Sequence, residues 1–280
     1  MPEFYNYNGK ICEAGDFFIS PDNRGFRYGD GLFETMVVTD GKIRLADLHF
    51  DRLFSGMNLM RFEIPKLFTS DYFKDEILSL CKKNKLVNAR VRLAVFRGDG
   101  GLYDAQSMLP NFVIQVWPLP DHVFQLNENG LVIDVYQQTR KQQDIFSNIK
   151  SANYLPYVMA ALHAKENRLN DCLVLNSSGN VADASIANVF LLKDKILYTP
   201  SLTEGCVAGI MRRFLIENVN AIGLRVHEKT ITVEEVEQAD EVFLTNTTSV
   251  LRWVKQFKNK VYDNAQASNI YKRLMDLLNN

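Results

Sequence analysis

Lys150 leads the run Lys150-Ser151-Ala152-Asn153-Tyr154, and further along, Asp183-Ala184-Ser185-Ile186-Ala187-Asn188-Val189-Phe190 sets an acid just ahead of an Asn-aliphatic-aromatic segment. An amine opening a helix and a carboxylate at the edge of a buried strand are the two groups that a pyridoxal-phosphate site requires. The lysine holds the cofactor aldehyde covalently, and the acid keeps the pyridine nitrogen protonated so that the ring withdraws electrons. Taken singly, each residue has a plainer explanation. A lone lysine is usually a solvated surface group, and Asp183 follows Ser177-Ser178-Gly179-Asn180, where an aspartate serves a turn. Context favours chemistry. Lys150 follows Ile149 and has Asn153-Tyr154 one turn away, while Asp183 precedes the apolar Val189-Phe190-Leu191-Leu192 and would need a partner at the edge of the core.

A phosphate calls for a fixed cation together with backbone or hydroxyl donors, ideally at a helix start. Three segments supply these: Arg52 inside an expected helix, the glycine-bearing Gly205-Cys206-Val207-Ala208-Gly209-Ile210-Met211-Arg212, and the hydroxyl-rich Thr245-Asn246-Thr247-Thr248-Ser249. Each has a structural explanation too, as an exposed helix charge, a packing glycine or a capping turn. Arg97-Gly98-Asp99-Gly100-Gly101 lacks the Gly-Lys-Ser/Thr ending and following helix of a nucleotide loop, and reads as a loop on the substrate side.

The elements that must position these residues show in the hydrophobic periodicity. Asn8-Gly9 and Asp40-Gly41 between short apolar stretches predict tight hairpins. Helical spacing follows over Leu45 to Phe62 and Asp71 to Lys83, and strands over Arg90 to Phe96 and Phe112 to Trp117. Pro118-Leu119-Pro120 then interrupts both kinds of element. Beyond it, strands are expected near Leu131 to Tyr136, Cys172 to Asn176, Ala187 to Leu192, Lys195 to Tyr198, Glu241 to Thr245 and Val250 to Val254. Helices are expected near Asn153 to Asn167, Ala208 to Glu217 and Ala267 to Leu278. The expectation is an α/β protein of two domains: an α+β domain over 1–118, a linker over 119–128 and an α/β domain over 129–280.

Composition narrows the partners. A chain of 280 residues with 46% hydrophobic residues, 23% charged residues and a formal net charge of −1 offers no electrostatic footprint for nucleic acid or an anionic membrane. Small molecules are the expected ligands. Cys12, Cys81, Cys172 and Cys206 lie far apart, as do His49, His122, His163 and His227, so no metal motif forms and the thiols fit a reducing compartment. Without a leader-like start or a membrane-length apolar run, a cytoplasmic location is expected.

Together these segments resemble the class IV, fold-type IV pyridoxal-phosphate enzymes: branched-chain aminotransferases, D-amino acid aminotransferases and 4-amino-4-deoxychorismate lyases. The likeness runs from Arg24-Gly25-Phe26-Arg27-Tyr28-Gly29-Asp30-Gly31-Leu32-Phe33-Glu34-Thr35, similar to the family's early pocket strand, to the threonine turn at Thr247. The resemblance implies a homodimer of two-domain subunits with the cofactor between the domains. It also implies that Lys150 is the covalent anchor and base, and that Arg52, Thr247 and the amides of Ile210 and Met211 grip the phosphate. Val207 would then pack near the ring, Asp183 and Asn188 belong to the cofactor site, and Tyr28, Phe33 and Arg97 border the substrate. Asp183 stands where the family normally has glutamate. The Lys-x-x-Asn spacing after Lys150 resembles the lyases and the D-amino acid aminotransferases, and Gly209-Ile210-Met211-Arg212 and Gly29 to Thr35 lean towards the lyase, whereas the lyase-like Gly-Gly-Arg-Gly-Tyr loop is here Gly100-Gly101-Leu102-Tyr103, without its arginine. The implied activity is release of pyruvate and 4-aminobenzoate from 4-amino-4-deoxychorismate. Amino transfer with branched-chain or D-amino acids is the alternative, and a non-catalytic relative of the same fold the third.

Overall fold

The computed structural model describes residues 2–16 and 18–279; the side chains of residues 121 and 122, and with them His122, lie outside that description. The chain divides into two compact units, Met1–Asp121 with Ile149–Asn153, and His122–Asn148 with Tyr154–Asn280. The short stretch carrying Lys150 thus packs with the first unit, although the sequence reading groups it with the second half.

In the first unit the order is β1 (Phe4–Tyr7), β2 (Lys10–Glu13), α1 (Arg24–Tyr28), β3 (Gly31–Thr39), β4 (Lys42–Ile43), α2 (Ala46–Leu59), α3 (Ser70–Lys83), β5 (Ala89–Arg97) and β6 (Pro110–Pro118). The strands form one antiparallel sheet in the order β2-β1-β6-β5-β3-β4. Both expected hairpins are present. Asn8 and Gly9 sit at φ 51° and 83°, and Asp40 and Gly41 at 50° and 72°, the paired positive angles that let a two-residue turn follow the strand twist.

Alternation puts Val91, Leu93 and Val95 of β5 and Phe112, Ile114 and Val116 of β6 on one buried face. The helices cover that face. In α3, Phe73, Ile77, Leu80 and Cys81 recur at helical spacing and are buried; Thr69 caps the start by accepting from the Tyr72 amide at 3.1 Å, and Lys82 and Lys83 close the end, where cations suit the helix dipole. Phe50, Leu53 and Met57 of α2 join the same core. Burying each such side chain contributes about 1.5–3 kcal/mol.

The second unit runs β7 (Leu131–Lys141), α4 (Leu155–Glu166), β8 (Asp171–Asn176), β9 (Val181–Ala184), β10 (Asn188–Lys193), β11 (Ile196–Pro200), α5 (Ile210–Glu217), β12 (Arg225–Lys229), α6 (Val233–Gln238), β13 (Glu241–Asn246), β14 (Val250–Phe257), β15 (Lys260–Val261) and α7 (Ala265–Asn279). Its sheet has the order β12-β11-β10-β13-β14-β7-β8-β9, with β15 on β14. The pairs β11/β12, β14/β7 and β7/β8 are parallel and the others antiparallel. Every residue of β8 is buried, as a strand covered on both faces requires. Phe190 of β10 and Phe243 of β13, direct register partners, stack with planes 3° apart.

Among the described residues no helix is long and apolar enough to cross a membrane.

Candidate active site

Lys150 belongs to the first unit. The Phe33 amide donates to the Lys150 carbonyl at 2.9 Å and the Ala152 amide to the Gly31 carbonyl at 2.8 Å, so the Lys150 segment is bonded along the start of β3. Leu32 and Ser151 form the corresponding bridge. Lys150 is half-buried, with its Nζ 4.7 Å from the centre of the Phe33 ring. Arg92 lies over the same ring at 3.7 Å. Phe33 is therefore brought to Lys150.

One residue further along β3 the side chain turns to the opposite face, where Glu34 is buried. Its Oε1 accepts from Arg52 Nε at 2.7 Å and its Oε2 from Arg52 Nη2 at 2.6 Å, while His49 Nδ1 lies 2.6 Å from Oε2. His49 and Arg52 stand three apart on α2 and so share one helix face. Burial alone would push the Glu34 carboxyl up. The Arg52 and His49 charges and their hydrogen bonds more than offset it, holding the group down at about 2. Arg52 is thus a forked, pre-set cation. The sequence reading named Arg52 without its clamp; the signal available was a glutamate alternating with Phe33, together with the His-x-x-Arg spacing.

Tyr28 and Arg97 line a cleft of about 400 Å³ in this unit, together with Arg24, Asp30, Tyr103 and Met108. Asp30 joins the two arginines: Arg24 Nε donates to Oδ2 at 2.9 Å and Arg97 Nη1 to Oδ1. Arg24 also donates to the carbonyls of Gly100, Leu102 and Tyr103, which fixes the loop read as substrate-side. Arg24 itself enters through α1, a helix in a stretch that the resemblance likens to a strand. Asn23 caps that helix by accepting from the Phe26 amide at 3.2 Å, and Gly29 ends it.

Asp183 belongs to the second unit. Asp183 lies inside β9, opposite Val174 of β8, and is buried. Its carboxylate accepts from Lys141 Nζ at 3.1 Å, the Tyr157 hydroxyl at 2.7 Å, the Val207 amide at 3.0 Å and Asn188 Nδ2 at 2.9 Å. Asn188, the first residue of β10, also donates to the Val207 carbonyl at 2.8 Å. These bonds bring Asp183, Asn188 and Val207 together, and they add two residues that the sequence reading missed, Lys141 at the end of β7 and Tyr157 on α4. No local pattern links either to Asp183, because the contacts come from the order of the strands and from the packing of α4 on β7 and β8.

Ile210 and Met211 open α5, whose cap residue Gly209 offers no side-chain oxygen to their amides. Helix-start amides of this kind suit an anion. Across the sheet from Asn188, Thr245 of β13 keeps its Oγ1 buried without a hydrogen-bond partner among the described residues, and Thr247 follows in the turn between β13 and β14. Among the described residues no cluster of His, Cys, Asp or Glu could hold a metal ion.

With this geometry in hand, comparison with known proteins decides the family. The family model for amino-transferase class IV matches residues 31–257. The chain belongs to the class IV aminotransferase family. It is 33% identical over 248 residues to an aminodeoxychorismate lyase of Bacillus subtilis, covering 86% of this chain and 82% of the relative. It is 29% identical over 272 residues to a putative branched-chain-amino-acid aminotransferase of Methanocaldococcus jannaschii, covering 96% and 93%. Among solved structures, the branched-chain aminotransferase of the thermophilic archaeon Thermoproteus uzoniensis with norvaline superposes with a TM-score of 0.90 at 21% identity, covering 99% of this chain and 95% of that one. The two-domain fold expected from the sequence is therefore the fold of this class IV chain, and the similar enzymes include both lyases and aminotransferases.

Proposed function

We propose that this class IV enzyme uses pyridoxal 5'-phosphate to convert 4-amino-4-deoxychorismate into pyruvate and 4-aminobenzoate. The donor set fits the cofactor: a half-buried amine at Lys150, a buried acid at Asp183, the forked cation Arg52, the amides opening α5 and the orphaned Thr245 hydroxyl. In this assignment Lys150 anchors the aldehyde, Asp183 faces the ring nitrogen, and Asn188 and Val207 fix Asp183. Arg52, Thr247 and the Ile210 and Met211 amides hold the phosphate. When bound, the cofactor supplies a ring that accepts the electrons left when a proton is lost from the carbon bearing the amine.

The protein's own groups do the rest. Once the substrate's amine has displaced it from the aldehyde, the Lys150 amine would take that proton; the ring carbon–oxygen bond would break, the departing enolpyruvate would take up a proton at its methylene carbon to become pyruvate, and the six-membered ring of the substrate would become aromatic. The cleft carries the lyase reading. Two arginines against one aspartate leave it net positive, and the substrate has two carboxylates to place beside Arg97 and Tyr28, with Phe33 flanking Lys150. Similarity to the Bacillus subtilis lyase supports the same choice. Amino transfer is the second reading, favoured by the nearly full-length likeness to a branched-chain aminotransferase.

Incubation of the loaded enzyme with each substrate separates the two. Pyruvate and 4-aminobenzoate formed without an amino acceptor establish the lyase. Product that appears only with an amino acid and a 2-oxo acid acceptor establishes the aminotransferase.

A homodimer accompanies this assignment. Leu155, Val158, Met159 and Leu162 lie at helical spacing on α4 and are all exposed, an apolar stripe suited to a second copy. The four free cysteines, three of them buried, support a reducing, cytoplasmic setting.

A further inference from the structure

The donors on Asp183 are unevenly divided between its two oxygens. Oδ2 accepts three, from Lys141 Nζ at 3.1 Å, the Tyr157 hydroxyl at 2.7 Å and the Val207 amide at 3.0 Å. Oδ1 accepts one among the described residues, from Asn188 Nδ2 at 2.9 Å. Each carboxylate oxygen offers about two lone-pair directions, so Oδ2 is filled and Oδ1 keeps one open.

Lys141 is itself fixed. Its Nζ donates to the Ser147 carbonyl at 3.0 Å and lies 5.3 Å from the Tyr157 ring centre, and the side chains of Lys141 and Asp183 are only 12% and 3% exposed. An ion pair so withdrawn from water leaves a strongly uncompensated charge if either partner is lost. Of the groups hydrogen-bonded to Asp183 among the described residues, Lys141 is the one cation. Burial and the adjacent Asp183 hold the Tyr157 phenol well above its usual range. The same two causes, in that order, push the Cys206 thiol up to about 12.

We propose that Lys141 is a positioning residue: with Tyr157 it turns Asp183 so that Oδ1 meets the ring nitrogen of pyridoxal phosphate, and its positive charge weakens the carboxylate's hold on the ring proton. The proposal rests on the assignment of Asp183 as the acid at that nitrogen. A carboxylate alone favours the protonated, cationic pyridine, whereas an ammonium on the same carboxylate opposes a second cation beside it. A ring that keeps its proton less firmly retains electrons less strongly. Electrons freed at the amine-bearing carbon then return more readily to the substrate, where they expel a leaving group. Lys141 thereby favours elimination over amino transfer, and it marks this chain as more than an aminotransferase with a shortened acid.

The test uses the loaded enzyme carrying pyridoxal phosphate labelled with ¹⁵N at the ring nitrogen, whose chemical shift is followed against pH. Lys141→Gln keeps a hydrogen-bond donor but removes the charge, and it is expected to raise the proton affinity of the ring nitrogen at least about tenfold. Lys141→Arg is expected to keep the wild-type profile, and Asp183→Asn to lower the affinity below it. If Lys141→Gln does not fold, Lys141→Met gives the same readout. A charge-removing variant with the wild-type profile, alongside an altered Asp183→Asn, overturns the role of Lys141 and leaves that of Asp183 intact. No change in either overturns both.

Discussion

Gly209→Ala isolates the packing on which the acid depends. The backbone of Gly209 is extended, at φ −66° and ψ 141°, so alanine adopts it without strain. The obstacle is steric: a Cβ there would lie 1.8 Å from Asn188 Oδ1 and 3.0 Å from its Cγ, with Arg212 Cβ at an ordinary 3.6 Å. Asn188 must swing away, giving up its bonds to Asp183 and to the Val207 carbonyl. A hydrogen bond to a charged group contributes about 1.5–3 kcal/mol and a neutral one about 0.5–1.5 kcal/mol. Alanine recovers about 0.4–1 kcal/mol by restricting the unfolded chain. The expected loss of stability is therefore about 1–4 kcal/mol, measured by denaturant titration. Asn188→Ala removes the obstructing atoms, so in a double-mutant cycle the second substitution should cost almost nothing once the first is present. Wild-type stability for Gly209→Ala, or simple additivity in the cycle, would refute the reasoning.

Three further outcomes follow from the geometry. Glu34→Gln removes the charge that orients Arg52, and should weaken cofactor binding about tenfold or more in a fluorescence titration, with His49 and Arg52 left as poorly paired buried donors. Because the folded Glu34 carboxyl is held down at about 2, from an ordinary 4.5, its stabilisation is complete above about 4.5 and is lost as pH falls towards 2; acid unfolding of Glu34→Gln should lack that component. Leu162→Glu on the exposed stripe of α4 should dissociate the proposed dimer in analytical ultracentrifugation, and an unchanged sedimentation coefficient would remove that face from the proposed interface.

Much of the architecture was legible because its causes are local. The spacing of Phe73, Ile77 and Cys81, the alternation along Arg90 to Phe96 and the Asn8-Gly9 turn each announce their element within a few residues. Helix α1 was not legible, since five residues with a central Phe depend on the Asn23 cap and the Gly29 stop rather than on periodicity. The candidate site divides in the same way. Lys150, Asp183, Asn188 and Arg52 stand out by type and spacing. Their partners Lys141 and Tyr157 do not, because strand order and α4 packing, both non-local, bring them to Asp183, and Glu34 shows only through its alternation with Phe33 and the His-x-x-Arg spacing of α2. The reach of Arg24 to three loop carbonyls, likewise, needs the loop's path as well as its sequence.

The central claim is that the ε-amine of Lys150 binds the cofactor covalently, and reduction with borohydride followed by peptide mapping tests it most directly. Covalent binding at Lys150 should give visible absorbance that disappears on reduction, a phosphopyridoxyl group on the peptide containing Lys150, and neither signal in a folded Lys150→Ala variant. A label on another lysine, or no label on a protein saturated with pyridoxal phosphate, would contradict it.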